Sequence, residues 1–241
     1  MTLYCVTSES AIFVEVSRGC DVTSSHASPF YTLAQFENAM NLVIIPIHVF
    51  HKMAQSIGPP EGRFIFVGNT TRCGSTLLLQ VFEETGSALA FSEPAVLGQL
   101  ADYRSQLNDA DFERLASHVM NMLCKRQKET YVFKLTIPTM ALIPHMKRLY
   151  PDVHCLFLYR DGLNVAQSLV KIVSVTPYLA FKFHRRVLSF RLKNMYHRLT
   201  GREKVKSMQE STLQYSAMLW AYAIKCYLDL RAKGMFWYEN G

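Results

Sequence analysis

The chain has 241 residues, room for one large domain or one and a half at ~100–200 residues each. At 49% hydrophobic it has ample material for a core, which excludes a disordered chain, a fibrous protein, a coiled coil and a small disulfide scaffold. The net charge of +7 is unevenly spread: residues 1–62 hold two basic and five acidic side chains, leaving 24 basic and 14 acidic for residues 63–241. A basic main part suggests an anionic ligand such as phosphate, sulfate, nucleic acid or an acidic polymer.

Residues 1–62 show no regular periodicity and close on Gly58-Pro59-Pro60-Glu61-Gly62, a punctuating run. They read as a weakly structured N-terminal extension, with a docked helix around Leu33–Met53 as the alternative. The longest apolar run there, Leu42 to Phe50, is interrupted by Pro46 and His48 and falls far short of the ~20 residues of a membrane span. No basic start with an apolar core marks a signal peptide in residues 1–20. The pattern then changes. Arg63 to Gly68 predicts a buried parallel strand. Ser75 to Thr85 predicts a helix ending at Gly86, and residues 109–128 a second helix.

Thr130 to Leu135 is the next strand, and residues 139–150 form a helix interrupted by Pro144. Val153 to Tyr159 is a third strand, followed by a helix from Asp161 towards Val173. A basic stretch covers 182–206, and a last helix carries Leu213, Ala217, Trp220, Ile224 and Leu228 at helical spacing before Gly234. Met235 to Tyr238 looks like one more strand. Strands alternating with helices predict an α/β fold: a parallel sheet with helices on both faces. Ligands in such folds bind at the carboxyl ends of strands, here just after Val67, Phe133 and Tyr159.

Two segments at those ends carry chemistry. Gly68-Asn69-Thr70-Thr71-Arg72-Cys73-Gly74-Ser75-Thr76-Leu77 joins a strand to a helix, offering backbone N–H groups, a positive helix end and two hydroxyls to an anion. It is not a Walker A loop: the glycines are one residue too far apart, and Ser75 stands where the lysine would be. The second segment runs from Arg160 at a strand end to Ser168, about two helical turns on. The planar fork of Arg160 suits a phosphate, and Asp161 is placed to cap the helix.

Together these segments resemble the sulfotransferase superfamily that uses 3′-phosphoadenosine 5′-phosphosulfate (PAPS). Arg72-Cys73-Gly74-Ser75-Thr76-Leu77 looks like its 5′-phosphosulfate loop, R-S-G-[ST]-[ST], with Cys73 in place of the usual serine. Arg160 to Ser168 looks like its 3′-phosphate motif R-D-P-x-x-x-x-x-S, with Gly162 in place of proline. Tyr238-Glu239 is similar to a later Y-E-D, whose tyrosine lies near the adenine. The resemblance covers about residues 63–240 and implies a P-loop-type domain over 63–241, whose C-terminal part is missing relative to the family. It implies PAPS as co-substrate, no metal, and a hydroxyl acceptor, glycan or protein before small molecule.

Where many members carry a histidine after Lys134, this chain has Leu135-Thr136, so another base is needed. Glu93 in Ser92-Glu93-Pro94, at a place similar to the glutamate of the protein-tyrosine and carbohydrate sulfotransferases, is the candidate. Its plain alternative is a solvated loop carboxylate or helix cap. Arg72 and, more weakly, Lys134 are expected to neutralise charge on the bridging oxygen. The basic stretch 182–206 is either a solvated helix face or a groove for an acidic acceptor. No pattern for nucleic-acid binding is present. The six cysteines lack paired Cys/His spacing, so no zinc site is expected. The compartment is cytoplasmic if the chain is complete and the Golgi lumen if its N-terminus is not. A truncated PAPS-binding module and a diverged P-loop nucleotide kinase stand as competing readings.

Overall fold

A three-stranded antiparallel sheet and two helices occupy the N-terminal stretch, in the computed structural model, which describes residues 1–25, 28–175 and 208–236. β1 (Thr2–Val6) and β2 (Ser10–Val16) form a hairpin, and β3 (Ala39–Pro46) pairs with β2 in the order β1-β2-β3. α1 (Tyr31–Glu37) lies between β2 and β3 in sequence, and α2 (Ile47–Ile57) follows β3. This corrects the expectation of a weakly structured extension over 1–62, and that of one helix around Leu33–Met53. Along Ser10–Val16, Ala11 and Phe13 point into a core shared with later parts of the chain, together with Phe50 and Ala54, one turn apart on α2. That shared core also means residue 62 is no domain boundary.

The chain forms two compact units, Met1–Asn69 with Gly74–Phe157 and Cys226–Gly241, and Thr70–Cys73 with Leu158–Lys225. The first unit holds a four-stranded parallel sheet with helices around it, so the fold is α/β as the pattern predicts. Its strands are β4 (Arg63–Asn69), β5 (Ala88–Ser92), β6 (Thr130–Lys134) and β7 (His154–Leu158), in the order β5-β6-β4-β7. Alternation along each strand sorts the side chains onto two faces. Val67, Ala88, Ala90 and Val132 pack with Leu79 of α3 (Ser75–Glu84). Phe66, Phe91 and Phe133 face the other way, with the rings of Phe91 and Phe133 stacked 4.8 Å apart.

On that aromatic face lie α4 (Ala95–Tyr103), α5 (Asp109–Leu123), a 3₁₀ turn (Pro138–Leu142) and α6 (Ile143–Leu149). Pro144 sits in the first turn of α6, where its missing N–H costs nothing, so the helix starts there instead of bending. Asn108 caps α5 by accepting from the Asp111 N–H at 2.9 Å.

The second unit contains α7 (Gly162–Val175) and the first part of α8 (Met208–Ala232), a helix that runs on into the first unit. Asp161 caps α7, its carboxylate accepting from the Asn164 N–H at 3.1 Å. Gly234, at φ +67°, closes α8, and Met235 and Phe236 after it are not in a strand. Among the described residues no helix is long and apolar enough to cross a membrane. The basic stretch 182–206 and Tyr238 lie outside the described residues.

Candidate functional site

Pairing register delivers the first cluster. Lys134, the last residue of β6, lies opposite Val67 of β4 and Ser92 of β5. It has the parity of Val132, so its side chain emerges on the face covered by α3. There the ammonium donates to the Thr76 hydroxyl at 3.1 Å and pairs with the Glu93 carboxylate at 2.9 Å. The Lys134 side chain is only 5% exposed and that of Glu93 29%. A buried ammonium is tolerable only with such partners. The Phe30 ring, 5.1 Å from the lysine nitrogen, adds a cation–π contact.

Glu93 would point to the aromatic face if β5 continued straight. Instead its backbone turns left-handed, at φ +55°, and its N–H donates to the Lys134 carbonyl at 3.1 Å. That turn brings the carboxylate round to the lysine. Among the described residues only Thr71, Arg72 and Glu93 are non-glycine residues with positive φ. All three fall in the segments singled out from the sequence. Such conformations cost about 1–3 kcal/mol each and persist where the surroundings enforce them. A β-branched residue such as Thr71 is an outlier there.

The start of α3 completes the first cluster. Gly74, the residue before the helix, is left-handed at φ +87° and supplies no side-chain cap. The N–H groups of Ser75, Thr76 and Leu77 therefore lack the partners that helix geometry gives to later residues, and they carry the positive end of the dipole. Ser75 is buried and Thr76 half-buried, while the Leu77 side chain is exposed.

The second cluster belongs to the other unit. Arg72 donates from Nε to the Ser168 hydroxyl at 3.0 Å, and Arg160 donates from its guanidinium to the Arg72 carbonyl at 3.2 Å. The Arg160 N–H is held by the Thr70 hydroxyl at 3.1 Å. Three predicted residues, up to 96 positions apart in sequence, thus converge. Both guanidiniums are exposed, and neither pairs with a carboxylate among the described residues. Cys73, next to Arg72, is a free thiol, half-buried.

Trp220 of α8 is a member of this cluster that sequence reasoning treated only as an apolar helix position. Its indole N–H donates to the Arg160 carbonyl at 2.8 Å. A Cβ on Gly162 would lie 3.0 Å from the same indole, so the glycine leaves room for this ring. Thr136, where the resembled motif has a histidine, shares a hydroxyl contact with Thr139 at 3.1 Å and lies two residues before the 3₁₀ turn. No protein-family model and no curated protein matches the chain.

Proposed function

We propose that this chain is a sulfotransferase moving the sulfuryl group of PAPS to the hydroxyl of an acceptor. The observation that carries this reading is the buried Lys134 ammonium, bound at once to a hydroxyl at the start of α3 and to the Glu93 carboxylate. The loop lacks a Walker lysine, yet Lys134 supplies an ammonium to the same helix start from a neighbouring strand. An anion bound on the Ser75, Thr76 and Leu77 N–H groups would then meet a cation and a proton acceptor together.

In this reading the acceptor oxygen bonds to sulfur while the bond from sulfur to the 5′-phosphate oxygen breaks. The hydroxyl proton passes to Glu93, and adenosine 3′,5′-bisphosphate leaves. Lys134 and the helix start offset charge developing on the departing oxygen, an electrostatic role that typically supplies a factor of ~10²–10³ per donor. Arg160 and Ser168 take the 3′-phosphate, and Arg72 contributes a second guanidinium. Tyr238, assigned to the adenine by resemblance, lies outside the described residues.

Calorimetric titration with adenosine 3′,5′-bisphosphate and, separately, with ATP–Mg²⁺ tests the proposal. Binding of the bisphosphate, with sulfuryl transfer from PAPS, is expected. Preference for ATP–Mg²⁺ would favour the nucleotide kinase, and bisphosphate binding without any transfer would leave a binding module.

A further inference from the structure

β3 is the last strand of its sheet, and among the described residues only β2 pairs with it. Their register is regular from Asn41 to Pro46 and shifts only at the start of β3, opposite Glu15 and Val16. An edge strand in such a ladder turns the N–H and C=O of every other residue outward. Natural sheets usually guard that row with charge, yet residues 38–47 contain no charged side chain. Val43 and Ile45 pack on the core, whereas Leu42 and Ile44 point to the opposite face and are each 63% exposed. Phe36 in the last turn of α1 and Met40 at the start of β3 are exposed as well. The sheet's other edge is already in use at Val6 of β1, whose N–H donates to the Gln99 side chain of α4 at 3.0 Å.

We propose that the β3 edge joins a second copy of this chain, with β3 antiparallel to β3 across a two-fold axis at Val43. The two three-stranded sheets then become one continuous sheet. Residues directly opposite in an antiparallel pair share a face, so this axis sets Leu42 of each copy against Ile44 of the other. Only apolar and amide side chains meet along Asn41–Ile45, so no like charges oppose the contact. The nearest charges along the chain are Glu37 before β3 and Lys52 after it, both exposed. Antiparallel pairing lays each acidic end toward the other copy's basic end, and parallel pairing would set like against like. A large apolar side chain has on the order of 150–250 Å² to bury, so the exposed parts of Phe36, Met40, Leu42 and Ile44 on two copies present roughly 1,000 Å². That reaches the lower bound for a specific interface before any main-chain hydrogen bond is counted. A two-fold contact occupies the free edges of both copies at once, so assembly stops at the dimer.

Sedimentation velocity on the full chain, from about 1 to about 100 μM, reads the assembly. Wild type should show a concentration-dependent monomer–dimer equilibrium. Leu42→Lys/Ile44→Lys and Leu42→Glu/Ile44→Glu should each weaken it about tenfold or more, because each double variant sets like charges face to face. An equimolar mixture of the two variants should dimerise again, since every lysine then meets a glutamate. Both side chains are exposed, and unchanged melting temperatures establish that the variants fold. A wild type that stays monomeric throughout would overturn the second copy as occupant and leave the edge to a different protein. Variants that dimerise as well as wild type would overturn β3 as the interface. If both variants fail alone and their mixture also stays monomeric, the antiparallel pairing at Val43 is wrong. Species that grow past the dimer with concentration would overturn the closed two-fold contact.

Discussion

At the end of β6 one ammonium is nearly sealed from water and paired with Glu93, whereas the guanidiniums of Arg72 and Arg160 stand exposed with no carboxylate beside them among the described residues. The buried pair has small net charge and fixed geometry, the qualities of a group that acts on a bond. The exposed pair has long side chains and no carboxylate partner among the described residues, which suits the anion capture proposed for it. Lys134 and Arg160, each a basic side chain at or just past a strand end, thus differ chiefly in burial, and the proposal gives them different tasks. Exposed charges are screened by salt within ~10 Å at 0.1 M, and buried ones much less.

Breaking the buried cluster should have the largest effect. Glu93→Gln keeps size and hydrogen bonding and removes the proposed base, so turnover should fall ~10²–10⁴-fold with bisphosphate binding unchanged. Full activity in this variant would place the base elsewhere. In the exposed cluster the dissociation should reverse. Arg160→Ala should weaken adenosine 3′,5′-bisphosphate about 10- to 100-fold while affecting the analogue without a 3′-phosphate little, and the loss should shrink as salt rises. Equal losses for both nucleotides would make Arg160 a structural residue.

A smaller effect isolates the backbone. Glu93→Ala and Glu93→Gly both delete the carboxylate, but only glycine accepts φ +55° freely. Urea denaturation should find the glycine variant about 1 kcal/mol more stable than the alanine variant, and no difference would mean the turn stores no strain.

The last prediction sets the pH range for these comparisons. His51 of α2 and His118 of α5 meet through their Nδ1 atoms at 2.6 Å. Burial holds both below the ordinary 6.5, aided in His51 by Arg114 and in His118 by His51 and then Arg114. The unfolded chain therefore takes up protons first as pH falls. Stability from this pair is complete above about 6.5 and is lost as pH drops towards the folded-state values. Urea midpoints at pH 7.5, 6.5 and 5.5 should decline in that order, and His118→Asn should flatten the decline. A flat wild-type profile would contradict it.

The candidate residues were legible where a strand end and a helix start are adjacent in sequence. Arg72 to Thr76 and Arg160 to Ser168 needed only local pattern, and the apolar run from Phe64 to Val67 announced its strand. β5 was not legible. Ala88–Ser92 is five residues, all buried, with two alanines and no alternation of polar and apolar positions to mark it. The N-terminal sheet was missed because turns and short strands blurred its period of two. Phe30 and Thr32 could not have been found, since the residues they meet lie about a hundred and about sixty positions away. Trp220 likewise declares itself only by the carbonyl it reaches.

The two sheets also differ in the order in which the growing chain can make them. Thr7, in the turn between β1 and β2, donates its N–H to the Ser10 carbonyl at 2.7 Å, so this hairpin closes by contacts that all lie within residues 2–16. β4 cannot pair until β6 exists, because Arg63 lies beside Thr130 in the parallel sheet. Loop closure over such a span is slow compared with forming a hairpin, which takes ~1–10 μs. At synthesis rates of ~5–20 residues per second, β4 waits several seconds for its neighbour, with Phe64 and Phe66 still uncovered. A chaperone that binds exposed aromatic strands would find its target in this interval, and refolding from urea should be limited by the closure that joins Arg63–Val67 to Thr130–Lys134.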